Sequence, residues 1–170
     1  MGNLIINKFH SEILIRSPKN KDEFEKYLYF RWEVLRKPLG MSLDSNTDGN
    51  EEIAEHAVIY HENKIIGCGR LHYENGVGQI RYMAVDENYR NLGLGAKILD
   101  YLEGIAKEKS LKKIFLNARN NAMNLYIRNG YKPIRKYTSP TNIPPVSYTH
   151  LRAHETEADL VCRLLLEKKK

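Results

Sequence analysis

The sequence predicts a single α/β (α+β) domain in which a mixed, mostly antiparallel twisted sheet is flanked by helices. Three observations predict this fold class. The length of 170 residues suits one domain with its own core. Residues 56–85 contain three strand-like runs separated by turn sequences. From Leu94 onward, apolar residues recur at helical spacing, and further short strand and helix patterns follow.

The N-terminal part of the chain predicts a strand, a helix and a long loop. Residues 11–18, "SEILIRSP", alternate apolar and polar side chains as a strand does. Ser17 and Pro18 are typical of a helix N-cap and first turn, with Asp22 and Glu23 close behind. The apolar stripe of this helix would consist of Phe24, Leu28 and Leu35, with Trp32 beside them. Residues 37–52 are polar and contain glycine, which predicts a long loop with a helical turn.

The remaining elements follow from the same kind of pattern. "HENK" and "ENG" supply the hairpin turns between the three strands of residues 56–85. The next helix has an apolar stripe of Leu94, Ile98, Leu99, Leu102, Ile105 and Ala106. Residues 112–118 predict a buried strand, residues 120–130 a helix closed by Gly130, and residues 131–137 another strand.

Composition restricts the class of protein. Apolar content of 42% and charged content of 28% fit a globular chain. No apolar run approaches the ~20 residues that cross a bilayer, and the N-terminus lacks a signal-peptide pattern, so we expect a cytoplasmic protein without membrane contact. The net charge of +6 favours an anionic partner. The basic residues are scattered, which argues against nucleic acid.

The stretch "YMAVDENYRNLGLGAKILDYL", residues 82–102, carries the clearest functional signal. An apolar strand ends in a polar loop and enters a helix through Arg90, Gly93 and Gly95. Unpaired N–H groups and the helix dipole attract phosphate at such a place, and glycine lets a pyrophosphate approach the backbone. The alternative is a turn in which the glycines only relieve backbone strain and bind no phosphate. The stretch has neither the Lys-Ser/Thr pair of a Walker loop nor the third glycine of a dinucleotide fingerprint.

In its context, this stretch resembles a known family. "IRYMAVDENYRNLGLGAKIL" (residues 80–99) is similar to the fourth strand and the Arg/Gln-x-x-Gly-x-Gly/Ala signature of the GCN5-related N-acetyltransferase superfamily. "LNARNNAMNLYIRNGYKPI" (residues 116–134) resembles the strand, helix and Gly-aromatic segment that follow in that family. The likeness extends from about residue 12 to residue 134. It implies an acyl-CoA N-acyltransferase fold, with acetyl-CoA as co-substrate and no metal.

The resemblance also implies a site where the fourth and fifth strands separate. Backbone groups of Met83, Ala84 and Val85 would meet the pantetheine arm and the thioester carbonyl. Asn124 would face the pantetheine, and Tyr126 would act as general acid near the sulfur. The pyrophosphate would be held by Arg90, Asn91, Leu92, Gly93, Leu94, Gly95 and Ala96.

The general base and the acceptor stay open at the level of sequence. Glu33, His56 and His72 are candidate bases, and a chain of water molecules is an alternative to any of them. The implied reaction is direct acetyl transfer to a primary amine of a small molecule or peptide, and a homodimer is left open. A non-catalytic acyl-CoA-binding regulatory module is the alternative function.

The last 25 residues do not resemble the rest of such a domain. Residues 146–170 resemble the translated product of a transposase-type sequencing adapter, matched codon by codon from Val146 to Thr156 and again from Asp159. We therefore expect residues 1–145 to be a C-terminally truncated acetyltransferase domain and residues 146–170 to be a non-native tail. His150 and His154 have the spacing of two metal ligands on a helix, but they fall in this tail. Val146, Tyr148 and Thr149 favour a strand that fills the place of the family's last strand.

Overall fold

The computed structural model describes residue 9 and residues 12–119, 122–136 and 145–150. Contacts between residues divide the chain into two compact units. The first comprises Met1–His72 and Tyr82–Ile105, and the second comprises Tyr73–Arg81 and Ala106–Lys170. The expectations for residues 151–170, including His154, lie outside the described residues.

The first unit contains antiparallel strands in the order β1 (Leu14–Arg16), β2 (Glu55–His61) and β3 (Lys64–Glu74), of which the last two residues of β3 belong to the second unit. β2 and β3 are joined by Glu62 and Asn63, both in the left-handed backbone region. Two such residues form the tight turn whose twist matches a hairpin. The predicted hairpin at "HENK" is confirmed.

β4 (Val77–Val85) runs from the second unit into the first. Asn75 and Gly76, with φ of 51° and 78°, make the turn that precedes it, as "ENG" predicted. Within the second unit, β4 pairs in parallel with β5 (Lys113–Arg119) from Val77↔Lys113 to Ile80↔Leu116. The sheet is therefore mixed, with antiparallel pairs predominating, and the predicted sheet type is confirmed.

Helix α1 spans Lys21–Leu35 and begins later than predicted. Its N-cap is Asn20, whose side chain accepts a hydrogen bond from the backbone N–H of Glu23 at 2.9 Å. The prediction of Ser17 as N-cap was wrong, because the Ser17 hydroxyl donates instead to the carbonyl of His56 at 2.7 Å. Asp22 and Glu23 do occupy the first turn, where their negative charges interact favourably with the positive end of the helix dipole.

The loop after α1 contains two short 3₁₀ turns, Lys37–Leu39 and Leu43–Asn46, as expected for residues 37–52. Phe24, Leu28 and Leu35 pack against a core cluster of the first unit, which confirms the predicted stripe of α1. That cluster consists of Tyr27, Phe30, Val58, Cys68 and Ala84.

Helix α2 (Leu94–Glu108) packs closely on β3 within the first unit. Its side chains Leu94, Ile98, Leu99 and Leu102 are buried, as their spacing predicted. The close approach depends on glycine. A Cβ at Gly69 would lie 2.6 Å from the Ile98 Cγ2 and 2.8 Å from the Met83 Sδ. The backbone of β3 therefore meets the helix where no side chain intervenes.

The second unit also contains helix α3 (Met123–Arg128), strand β6 (Lys132–Lys136) and strand β7 (Pro145–His150). Its strands lie in the order β4, β5, β7 and β6. β7 pairs antiparallel with both neighbours, from Ile114↔His150 to Arg119↔Pro145 on the β5 side. The prediction that the residues from Val146 occupy the last strand position is confirmed for Val146–His150. Among the helices described, none is long and apolar enough to span a membrane.

Candidate acetyl-CoA site

The loop between β4 and α2 is built by local hydrogen bonds. Asp86 directly follows β4 and accepts a bond from the backbone N–H of Asn88 at 3.0 Å, which caps the 3₁₀ turn Glu87–Tyr89. Its carboxylate also pairs with Lys64 Nζ at 3.0 Å. Partial burial alone would raise the pKa of Asp86. The hydrogen bonds from Asn88 and Lys64 have the larger combined effect, so the pKa of Asp86 lies below its ordinary value. A charged Asp86 thus anchors the start of the loop.

The end of the same loop leads into α2, whose first backbone N–H groups have no partner within the helix. Asn91 and Gly93 have φ of 64° and 77°, the left-handed region that asparagine and glycine tolerate best. The bond from Lys97 N–H to the Gly93 carbonyl, 3.2 Å, closes the first turn. The first turn carries no acidic residue, so nothing there opposes the positive end of the helix dipole. This arrangement suits an anion such as a pyrophosphate.

The predicted cofactor residues of this stretch all lie in the first unit. Arg90, Asn91 and Gly93 are exposed, whereas Ala84 and Leu94 are buried. The others are half-buried: Met83, Val85, Leu92, Gly95 and Ala96. The prediction that the two glycines lie at the start of the helix containing Ile98 and Leu102 is confirmed.

β4 bends at a residue that the sequence did not single out. Tyr82 has φ of 55°, although it lies inside a strand and carries a bulky side chain. This conformation costs a non-glycine residue on the order of 1–2 kcal/mol and persists where the surroundings hold it. The described register of β4 with β5 ends at Ile80, two residues earlier. Met83, Ala84 and Val85 follow the bend directly.

Two further predicted site residues, Asn124 and Tyr126, belong to α3 in the second unit. Asn124 is exposed. Tyr126 is buried, with 5% of its surface accessible, and its ring meets that of Tyr131 edge to face at 5.9 Å. α3 ends at Arg128, and Gly130 follows its C-cap Asn129 with φ of 84°, as the helix-closing glycine that the sequence predicted.

The three candidate bases have different surroundings. Glu33 is exposed on α1 and lies 3.4 Å from Lys37. His72 on β3 is half-buried, and its Nδ1 is buried without a hydrogen-bond partner. His56 is buried with both ring nitrogens engaged, by the Tyr27 hydroxyl at 3.1 Å and the Glu51 carbonyl at 2.8 Å. Burial lowers the pKa of His56, which fits a neutral structural histidine.

Sequence reasoning missed a buried charge network in the first unit. The side chains of Arg31 and Arg70 are fully buried and bind carboxylates of the loop after α1, Asp48 and Glu51. A signal for Arg31 existed, because it lies four residues after Tyr27 and therefore on the apolar side of α1. Arg70 gave no such signal, since long cations are rarely buried and strand alternation does not identify their partners.

The model of the acetyltransferase (GNAT) family matches residues 15–131, which includes β4, the Gly93 loop and α3. The chain belongs to the acetyltransferase (GNAT) family. It is therefore an acetyl-CoA-dependent acyltransferase.

Relatives and solved structures agree with this assignment. The uncharacterized N-acetyltransferase YjcF of Bacillus subtilis is 30% identical over 114 residues, which cover 67% of this chain and 81% of the relative. An acyl-CoA N-acyltransferase from Pseudomonas aeruginosa has the same fold, with a TM-score of 0.71 at 17% identity over 81% of this chain and 97% of the other. An aminoglycoside 6'-N-acetyltransferase complexed with coenzyme A matches with a TM-score of 0.69 at 13% identity, covering 85% and 98%. The GNAT-type fold predicted from the sequence is confirmed.

Proposed function

We propose that this GNAT protein transfers the acetyl group of acetyl-CoA directly to a primary amine of a small molecule or peptide. The observation that carries the proposal is the course of the chain from β4 into α2. One continuous segment first presents a bent strand at Met83–Val85 and then a left-handed turn that opens a 15-residue helix. The first offers polar backbone groups to an amide-bearing arm, and the second offers N–H groups to a pyrophosphate.

The residues present fit coenzyme A. The nucleotide phosphates would lie against the N–H groups of residues 91–96, with the exposed Arg90 adding a cation. Backbone groups of Met83, Ala84 and Val85 would orient the pantetheine arm, and an N–H group there would stabilise negative charge that develops on the thioester oxygen. The family resemblance assigns Asn124 to the pantetheine arm. Bound acetyl-CoA supplies the activated acyl group, and the chain supplies its position.

Tyr126 is our candidate for the general acid. Breaking the carbon–sulfur bond leaves a thiolate, and a thiol has a pKa of ~8.5, so a proton donor beside the sulfur assists its departure. A tyrosine hydroxyl has an ordinary pKa of ~10 and is therefore a proton donor of suitable strength for this step. The sequence resemblance implies this role for Tyr126, and the residue lies on α3.

The acceptor must lose a proton, because an alkylamine with a pKa of ~10.4 is mostly protonated at neutral pH. Of the candidates, His72 best suits a base, since its Nδ1 has no hydrogen-bond partner and its ring is not fully buried. Glu33 is a weaker candidate because it is exposed and paired with Lys37. His56 has no free nitrogen. A water chain that carries the proton to solvent needs no dedicated base.

Two measurements test the proposed function. Calorimetry with acetyl-CoA should show binding at one site per chain. A thiol-release assay should then show turnover with at least one member of an amine panel that includes diamines, amino acids, short peptides and an aminoglycoside. Absence of acetyl-CoA binding would overturn the proposal. Binding without turnover on any amine would favour the non-catalytic regulatory module.

A further inference from the structure

The buried network of the first unit ties a loop to a strand and a helix. Arg70 on β3 binds Asp48 through two hydrogen bonds of 2.6 and 2.7 Å, and it donates a third to Glu51 at 2.8 Å. Arg31 on α1 binds the same Glu51 oxygen at 2.9 Å and also holds Asn46 through its side chain and its carbonyl. Both guanidinium groups are thereby fixed in position by carboxylates.

The two guanidinium groups also contact one aromatic ring. The Cζ of Arg31 lies 3.8 Å from the centroid of the Tyr82 ring, and the Cζ of Arg70 lies 4.8 Å from it. A cation over a ring face is attracted by the ring quadrupole, more strongly where water is excluded. Tyr82 is the residue at which β4 takes its positive φ. The strained residue of the strand is thus the residue that the arginines hold.

We propose that Arg31 and Arg70 are positioning residues that hold Tyr82 in its bent conformation and so orient the backbone of Met83–Val85 toward the pantetheine arm and thioester. The inference rests on the proposed function of these three residues. It assigns a role to two buried charges whose pairing need not stabilise the fold, since a buried ion pair is often no better than apolar packing for stability. The contribution of the two arginines is that they hold the Tyr82 ring in one position. β4 can therefore keep its bend at a residue that is not glycine.

The test separates the two halves of coenzyme A. Tyr82→Leu removes the ring, and its affinity for acetyl-CoA should fall at least ~10-fold, whereas its affinity for 3′-phosphoadenosine 5′-diphosphate should stay within about 2-fold. The reason is that this nucleotide would meet residues 90–96 and not the strand. Tyr82→Phe keeps the face of the ring and should bind acetyl-CoA with the affinity of the unmodified protein. Calorimetry with both ligands, together with the melting temperature, measures each variant.

A matched control shows whether lower stability of the first unit by itself reduces the affinity for either ligand. Ile59→Ala removes a fully buried side chain from β2 of the same unit and should lower the melting temperature with both affinities unchanged. If Tyr82→Leu does not fold, Arg31→Lys, which keeps the charge but loses the planar fork, carries the same expectation. Equal loss of both ligands, or loss of neither, would overturn the inference while leaving the proposed function in place. Failure of the unmodified protein to bind acetyl-CoA would overturn both.

Discussion

Gly69 on β3 and Ile98 on α2 approach so closely that a Cβ at position 69 would lie 2.6 Å from the Ile98 Cγ2. This contact sets how near the helix lies to the strand, and α2 is the helix that the proposed pyrophosphate loop opens. Ile98 is β-branched, and its χ1 is restricted in a helix, so its methyl group cannot rotate away at low cost. The glycine at position 69 is therefore a packing requirement.

Gly69→Ala should destabilise the protein by roughly 1–3 kcal/mol, the usual cost of forcing an extra methyl group into a packed core. Urea unfolding measures the change in the free energy of unfolding. Gly104→Ala is the matched control, because apart from the adjacent residues and backbone of its own helix no atom lies within 4 Å of its added Cβ, and the residue is inside α2. There alanine should stabilise the helix by about 0.5–1 kcal/mol. Equal effects of the two substitutions would contradict the packing argument.

Gly95→Glu should abolish acetyl-CoA binding, because it places a bulky negative group in the first turn of α2 against the proposed pyrophosphate. Calorimetry with acetyl-CoA measures the loss. Gly104→Glu introduces the same charge on the same helix, nine residues away in open space, and should bind normally. Normal binding by the Gly95 variant would show that the cofactor phosphates lie elsewhere.

Tyr126→Phe should leave acetyl-CoA binding nearly unchanged and slow turnover by roughly 10²–10⁴-fold, as expected for loss of a general acid. Single-turnover kinetics in the thiol-release assay measure the chemical step. Tyr131→Phe removes a hydroxyl from the ring that contacts Tyr126 and serves as the control, with turnover close to that of the unmodified chain. If both variants keep full activity, Tyr126 lines the pocket without donating the proton.

Stability below neutral pH should depend on Glu23. Its carboxylate accepts bonds from Arg16 at 2.6 and 2.9 Å and from the Lys19 N–H at 2.8 Å, and the Arg16 guanidinium lowers the pKa of Glu23 from 4.5 to about 2. Because the folded state favours the ionised form, the stabilisation is complete above pH 4.5 and is lost as the pH falls toward 2. The free energy of unfolding should therefore fall less over this interval in Glu23→Gln than in the unmodified protein, because the part of the loss that Glu23 contributes is removed.

The control for that experiment is Glu25→Gln on the same helix. Glu25 is exposed and lies 3.8 Å from Lys21, and such surface pairs contribute little to stability. Its pH dependence should match that of the unmodified chain. A matching curve for Glu23→Gln as well would contradict the assigned pKa shift.

The C-terminal residues offer a test by truncation. A chain that ends at residue 150 keeps β7, whereas one that ends at residue 145 leaves β5 and β6 without the strand that pairs with both. We expect the longer chain to melt like the full protein and the shorter chain to melt at a lower temperature, because an open sheet edge loses its hydrogen bonds. Thermal unfolding followed by circular dichroism measures both. A shorter chain that melts unchanged would show that β7 contributes nothing.

The sequence by itself determined the hairpins, the helices and the glycine-bearing loop. Asn63, Asn75 and Gly76 take the left-handed backbone that their turns require, and the apolar spacing after Leu94 gives the buried face of α2. These features depend on residues a few positions apart, so the local pattern contains the information. The resemblance carried by residues 80–99 and 116–134 then indicated the family and acetyl-CoA.

Only the tertiary structure decided the N-cap of α1 and the buried charges. Ser17 is a good cap by type, but its hydroxyl meets the carbonyl of His56, 39 residues away. Arg31 and Arg70 are buried because Asp48 and Glu51, about 20 residues distant in the chain, bring carboxylates to them. Burying a charged side chain costs free energy unless an oppositely charged partner is buried with it. The local sequence around an arginine does not indicate where a distant loop will place that partner. In our proposal the bend at Tyr82 depends on those same arginines, so the bend could not be predicted from the sequence either.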